Sequence, residues 1–367
     1  MLTVERVREA EERLFKACSF EEPDRVPVKI SVANPFFCSV LGYTLKDFYR
    51  NLDICRLVQV RGSKWAFDVL GDDRTGYIRS LEQTSPDIGA TAEGIIFNCE
   101  IQLPDEESPW LSPWIIPKLK TPEDVEALEV PDPKDCLYRL KRHYERAYGR
   151  TVEVMNSLTL SHPPLSAAGS LMGATRLYTF LYRHPNLMQR LFQKLLRVFY
   201  ELIDYRDARV GVETRSIGLC DDHAGYLPES LYRRFVLPYN KQIYERYGKE
   251  GRSLHMDSQV DHIARILVDD YRIQSMDLGA GSDIVKVKEV FDGKVYFDGN
   301  LDTKVLVSGS LDLLRKAVEH CIYSAAHGGG YTFDVGGETY AGLDVETLRY
   351  MISYAKKIGR YPVRETH

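Results

Sequence analysis

The residues best suited to chemistry are His255 and Asp257, which end a short run, Leu254-His255-Met256-Asp257. On a β-strand, side chains two positions apart share a face. An imidazole and a carboxylate so placed can ligate zinc or exchange protons with a substrate, and they can equally form a plain structural hydrogen bond. Asp221, Asp222 and His223 close a similar run that begins at Ser216. Adjacent strand residues face opposite ways, so one aspartate reaches the strand-end surface while the other caps the loop or helix that follows. Asp222, on the same face as Cys220, is expected to be the one that reaches it.

Four further positions could touch a substrate or an ion. Asp298-Gly299-Asn300 closes a later run, where Gly299 permits close backbone approach and Asn300 offers a donor and an acceptor. Asn34 stands just past an alternating stretch at 26–32. His162 lies in the turn Ser161-His162-Pro163-Pro164, where a polar contact competes with an ordinary turn role. Glu338, in Gly336-Gly337-Glu338, could bring a third oxygen. The remaining histidines, His143, His184, His262, His320, His327 and His367, fall on helical or terminal stretches and are expected to be structural or solvated.

These residues need a scaffold that brings strand ends together. Apolar positions at helical spacing predict an amphipathic helix over 3–18 within an N-terminal extension, 1–25. Val26, Val28, Ile30 and Val32 alternate as a strand, and helices are expected over 43–51 and 54–68. Residues 74–131 read as an irregular insertion, a lid over a site or a cover for one end of the fold, with a strand-like piece at 94–99. From 133 onward, helices and short strands alternate. Strands are predicted at 152–158, 216–222, in the run that ends Leu254-His255-Met256-Asp257, and at 272–277, 294–298 and 331–335. Helices are predicted at 133–148, 165–209, 228–247, 258–270, 283–291, from 303 or 310 to 327, and at 344–358. Roughly eight strands separated by helices predict a single (β/α)8 TIM barrel over 1–367 rather than a doubly wound sheet. Gly279-Ala280-Gly281 and Gly328-Gly329-Gly330 do not make a phosphate-binding signature and read as turns that need positive φ.

Composition narrows the partners. The 48 basic and 53 acidic residues, net -5, argue against binding nucleic acid through its phosphates. A small molecule is the expected partner. No apolar run approaches the roughly 20 residues of a membrane helix, and the charged N-terminus lacks the apolar core of a signal peptide, so a cytoplasmic location is expected. The seven cysteines form no Cys-x-x-Cys pair and read as reduced core thiols.

Asp221-Asp222-His223-Ala224-Gly225-Tyr226-Leu227-Pro228-Glu229, Phe235-Val236-Leu237-Pro238-Tyr239, His255 and Asp298-Gly299-Asn300-Leu301-Asp302 together resemble the uroporphyrinogen decarboxylase superfamily. Asp24-Arg25-Val26-Pro27-Val28 and Ile358-Gly359-Arg360-Tyr361-Pro362 extend the resemblance to almost the whole chain. It implies a (β/α)8 barrel with its site at the C-terminal mouth. The decarboxylases carry an arginine-rich segment after the first strand, whereas Val32-Ala33-Asn34-Pro35-Phe36-Phe37-Cys38 has no arginine. The sequence is closer to the methyltransferase branch, whose members move methyl groups between corrinoid proteins and thiols, folates or methoxylated compounds. Thiol-activating members hold zinc with His-x-Cys and a later Gly-Cys-Glu; here His255-Met256-Asp257 and Gly336-Gly337-Glu338 lack both thiolates.

The resemblance therefore implies a methyltransferase with His255, Asp257 and Asp222 as catalytic residues. Asn34, His162, His223 and Asn300 would bind substrate, and His255, Asp257 and Glu338 would make a harder zinc site. Corrinoid would come from a separate partner protein, since the Asp-x-His-x-x-Gly pattern of cobalamin carriers is absent. Tetrahydrofolate and a homodimer also belong to this expectation. Two alternatives stay open: a decarboxylase or other lyase acting on a small carboxylic acid, and a non-catalytic binding relative.

Overall fold

The computed structural model describes residues 2–75 and 85–363. The chain forms two compact units, one from Met1–Tyr43, Leu57–Thr84 and Ser253–His367, the other from Thr44–Arg56 and Ser85–Arg252. Among the described residues there are seven strands: β1 (Ile101–Gln102), β2 (Trp114–Ile115), β3 (Ser216–Cys220), β4 (Gly251–Met256), β5 (Ser275–Leu278), β6 (Tyr296–Leu301) and β7 (Tyr331–Val335).

In the first unit, the end of β4 pairs in parallel with β5, β5 with β6, and β6 with β7. The alternation seen in the sequence is the alternation of faces. Leu254, Met256, Met276, Leu278 and Phe297 are buried on one side, with Phe297 meeting Phe291 of helix Ile284–Phe291 edge-on at 5.9 Å. His255, Asp277 and Asp298 occupy the other side. Side-chain caps set the helix starts: Asp283 accepts from the amides of Val285 and Lys286, Ser310 from Leu313, and Asp344 from Thr347. The expected helix over 258–270 is much shorter, Ala264–Ile266 followed by a π-turn at Leu267–Tyr271.

The stretch 26–32 departs from expectation. It runs beside β7, with the Lys29 amide bonding to the Phe333 carbonyl at 3.1 Å and the Phe333 amide to Pro27 at 2.8 Å, but it makes a single parallel bridge at Val28. Carboxylates take the amides that a regular strand would use on its other edge: Val28 donates to Asp73 at 2.8 Å and Ile30 to Asp72 at 3.0 Å. The two terminal motifs meet each other here. Val26 donates to the Gly359 carbonyl, Tyr361 to that of Asp24, and Arg25 pairs antiparallel with Arg360. A Cβ on Gly359 would lie 2.8 Å from the Ala355 oxygen and 3.1 Å from Val26.

The second unit is mainly helical. Helix Pro133–Tyr148 starts at the Asp132 cap and ends at Gly149 with φ 66°. The predicted helical run 165–209 is three helices, Pro164–Met172, Ala174–Arg183 and Pro185–Val210. That over 228–247 is two, Glu229–Phe235 and Leu237–Tyr247, the second with Pro238 in its first turn. Two predicted strands fail. Residues 152–158 contain a 3-10 turn, Met155–Ser157, in which the Glu153 carboxylate takes the Met155 amide that a ladder would need. The 94–99 piece is largely helix, Ala92–Ile96, under the β1–β2 hairpin; a Cβ on Gly94 would come within 2.6 Å of Ile101 and 2.7 Å of Ile115. A short buried apolar run does not by its periodicity distinguish strand from helix. Part of the predicted insertion, 76–84, lies outside the described residues, as does His367. Among the described residues no helix is long and apolar enough to cross a membrane.

The first unit's N-terminal segment is pinned by one buried carboxylate. Asp73 accepts from Arg13 at 2.8 Å, twice from Arg25 at 2.6 and 2.8 Å, and from the Val28 amide. Burial alone would raise its pKa, but Arg25, Val28 and Arg13 hold it below the usual carboxylate range. Asp73→Ala leaves two guanidinium groups facing a void and should cost about 3–5 kcal/mol in urea denaturation. A loss under 1 kcal/mol would contradict this.

Candidate active site

Register alone builds the first cluster. His255 pairs with Asp277, and Asp277 with Asp298, at one level of the sheet. His255 Nδ1 lies 2.7 Å from Asp277 Oδ2, and its Nε2 lies 3.7 Å from Asp257 Oδ1. A ring nitrogen that faces a carboxylate oxygen at this distance donates to it, so Nδ1 carries a proton and Nε2 is the nitrogen turned toward Asp257. Burial, then the charge and hydrogen bond of neighbouring Asp277, push Asp298 up to about 7, against the opposite pull of Lys29 and His255. Asp298 thus holds a proton near neutrality behind the Asp277–His255 pair. Asp334, fully buried, accepts from the amide and hydroxyl of Ser31 at 2.7 and 2.5 Å, and burial together with Asp298 raises its pKa well above normal.

Backbone packing fixes Asp257. A Cβ on Gly279 would fall 2.2 to 2.3 Å from the Asp257 backbone, and one on Gly336 would fall 2.4 Å from the Ala280 nitrogen. The Gly279-Ala280-Gly281 turn therefore needs glycine for close approach, not for the positive φ expected of it. Gly328, Gly329 and Gly330 do have positive φ, 73°, 69° and 72°.

The other residues expected in this unit are placed as follows. Asn300 is buried with its amide donating to Gly279 and Ser282 carbonyls at 3.2 and 2.9 Å, so it clamps the loop after β5. Its Oδ1 lies 3.9 Å from Cys321 Sγ. Glu338 is exposed beyond β7, and Asn34 begins the helix Asn34–Leu41, half-buried.

The second unit holds its own polar cluster after β3. Asp221 is fully buried, accepting from Ser166 Oγ at 2.6 Å and Asn240 Nδ2 at 2.7 Å; it binds two side chains rather than capping a helix. Burial raises it to about 6 despite those bonds. Asp222 is half-buried. His223 donates its amide to Ser166 at 3.2 Å and its carbonyl accepts from Tyr178 at 2.9 Å. Its ring lies over Gly169, where a Cβ would come within 2.8 Å of it. Burial and the neighbouring His162 lower its pKa. His162 donates its amide to Glu93 Oε1 at 2.8 Å, with Nδ1 3.3 Å from the same oxygen. Burial opposes its charging, but Glu93, with Asp222 and Asp221 behind it, raises the pKa. Glu93 is fully buried and its Oε2 has no partner among the described residues.

Asp277, Glu93, Ser166 and Asn240 were missed in the sequence. Asp277 had a signal: it is the one ionisable side chain of its strand, at the parity that matches His255. Glu93 had a weaker one, a lone acid in Ala92-Glu93-Gly94-Ile95-Ile96.

Asp298→Asn provides a test of this electrostatics. The unfolded carboxyl loses its proton near pH 4, the folded one only near 7, so wild type loses stability across that interval as pH rises and the neutral variant does not. From pH 5 to pH 8 the variant should gain on the order of 2 kcal/mol relative to wild type in urea denaturation. A difference independent of pH would put Asp298 at an ordinary pKa.

The sequence profile of the uroporphyrinogen decarboxylase (URO-D) family matches residues 86–358. Among curated proteins, a uroporphyrinogen decarboxylase of Chloroherpeton thalassium is 26% identical over 202 residues, covering 52% of this chain and 55% of that protein. One from Shewanella amazonensis is 23% identical over 248 residues, 62% of this chain and 66% of the other. The chain spans about half the length of most of these relatives. A solved structure, a methyltransferase from Methanosarcina mazei, superposes with TM-score 0.63 and 16% identity over 95% of this chain and 98% of that one. The fold is α/β, of the TIM-barrel type. With the profile covering most of its length, the chain belongs to the uroporphyrinogen decarboxylase (URO-D) family.

Proposed function

We propose that the protein is a methyltransferase, moving a methyl group between a small methylated compound (a methoxy compound, thiol or folate) and a separate corrinoid protein. The observation that carries this reading is the oriented imidazole, His255 with Nδ1 bonded to Asp277 and Nε2 toward Asp257. Were a methyl group to leave oxygen for the nucleophilic acceptor that a corrinoid partner would supply, the C–O electron pair would stay on oxygen and a proton would have to reach it. A positioned acid contributes about 10²–10⁴-fold to such a step. Protonated His255 supplies that proton from Nε2, while Asp277 stabilises the imidazolium. Asp298, itself protonated near neutrality, keeps this side of the sheet from accumulating negative charge.

In place of a proton on Nε2, the same residues fit zinc. Two ligands of a tetrahedral ion with bonds near 2.1 Å stand roughly 3.4 Å apart, close to the 3.7 Å between His255 Nε2 and Asp257 Oδ1. A carboxylate behind Nδ1 is the usual partner of a metal-bound imidazole. His255 and Asp257 would hold the ion, and bound zinc would supply Lewis acidity to the departing atom. The likeness of fold to a protein named as a methyltransferase is compatible with this reading. The absence of arginine from Val32 to Cys38 removes the groups that would bind the acid side chains of a tetrapyrrole.

Offered methoxylated aromatics or methylated thiols with free cob(I)alamin as acceptor, the wild type should transfer methyl groups. His255→Ala and Asp277→Asn should each lose at least about 10²-fold. Carbon dioxide release from small acids without methyl transfer would assign a lyase instead. Ligand-induced stabilisation without turnover, unaffected by His255→Ala, would assign a binding protein. Elemental analysis tests the metal: stoichiometric zinc lost in His255→Ala and Asp257→Ala is expected, and a metal-free wild type that stays active after chelation would reject it.

A further inference from the structure

The second unit carries a cavity of about 500 Å³ lined by four arginines, Arg50, Arg139, Arg142 and Arg146. None of the residues described above as candidate active-site groups lines it. Arg139, Arg142 and Arg146 follow one another at three- and four-residue steps along helix Pro133–Tyr148, so they share one stripe of its surface. Arg50, the last residue of helix Leu45–Arg50, joins them from a separate element. Glu100 is the one acid in the lining, against four guanidinium groups, in a chain whose net charge is -5. His143, also in the lining, adds no charge at neutral pH, because burial and Arg146 lower its pKa to about 4.

The arginines are oriented. Arg50 Nε donates to the Pro104 carbonyl at 3.1 Å and Arg139 Nη1 to that of Ile96, so each has one nitrogen tethered to backbone and its other N–H groups free to turn toward a ligand. Arg142 makes only a long bond to Glu145, 3.3 Å, and Arg146 has no hydrogen bond or ion pair among the described residues. Like charges held around one hollow repel, and surface arginines ordinarily offset that with neighbouring acids. Here the offset is largely missing, which is the arrangement of a site that an anion completes. The planar fork of guanidinium matches the paired oxygens of carboxylate and phosphate. The volume falls within the range of small-molecule sites. Ile95 and Ile101 add apolar lining, and Tyr138, 64% exposed, offers a ring to the organic part of a ligand.

We infer that this cleft binds a small anion carrying two or more carboxylate or phosphate groups. Calorimetric titration of the full chain with pyrophosphate and, separately, with citrate at constant ionic strength tests it. At least one of the two should bind wild type, and Arg142→Gln/Arg146→Gln should weaken that binding at least about tenfold, since two sources of charge-assisted hydrogen bonds are removed. Both replaced side chains are exposed, and an unchanged thermal melt confirms that the variant folds. Arg142→Lys/Arg146→Lys, which keeps the charge but not the fork, should fall between the two. Binding of pyrophosphate alone assigns phosphate ligands, and of citrate alone carboxylates. Equal binding to wild type and the Gln variant, or no binding of either anion at about 10 mM, would overturn the inference.

Discussion

An imidazole bonded to a carboxylate through one nitrogen can offer only the other. In this protein that bond, His255 Nδ1 to Asp277 Oδ2 at 2.7 Å, decides what the strand-end surface of the first unit can do. It sets the tautomer, aims Nε2 at Asp257, and supplies the negative charge that makes a protonated ring tolerable. The parallel register of β4, β5 and β6 creates it, by setting His255 level with Asp277 and Asp277 level with Asp298. A one-residue slip would send all three side chains into the apolar layer with Leu254, Met276 and Phe297.

Carboxylates on adjacent strands cannot all be ionised at close range, and the structure divides them. Asp277 keeps the imidazole as its partner, whereas Asp298, half-buried beside it, holds its proton up to about pH 7. Elsewhere the same chemistry is used for architecture. Asp73 is held ionised by Arg25 and Arg13, and Asp72 and Asp73 take backbone amides in place of a neighbouring strand. Asp221 ties Ser166 to Asn240. The same side chain is thus a proton store or a structural pin according to the donors its neighbours provide.

Much of this could be read in the sequence where one period dominated. The short alternating runs from Leu254 to Val335 became β4 to β7, and the His255–Asp257 spacing correctly put both groups at one strand end. Legibility failed where side chains compete with the backbone ladder. Glu153 turns its own amide out of a strand, and Asp72 and Asp73 reduce 26–32 to a single bridge. It failed again where function depends on pairing across strands. The parity of Asp277 within its strand was legible, but its pairing with His255 was not, because that contact spans 22 positions and is fixed only by register. The amide of Asn300 also closes the loop after β5 through the Gly279 and Ser282 carbonyls, a demand that no local pattern encodes.

The central claim is that Asp277 fixes the imidazole of His255, and nitrogen-15 NMR of the labelled protein at neutral pH addresses it directly. The account predicts a ring protonated at Nδ1, with a proton shifted downfield by its bond to Asp277, and loss of that signature in Asp277→Asn. A ring protonated at Nε2 alone, or a spectrum that Asp277→Asn leaves unchanged, would contradict it.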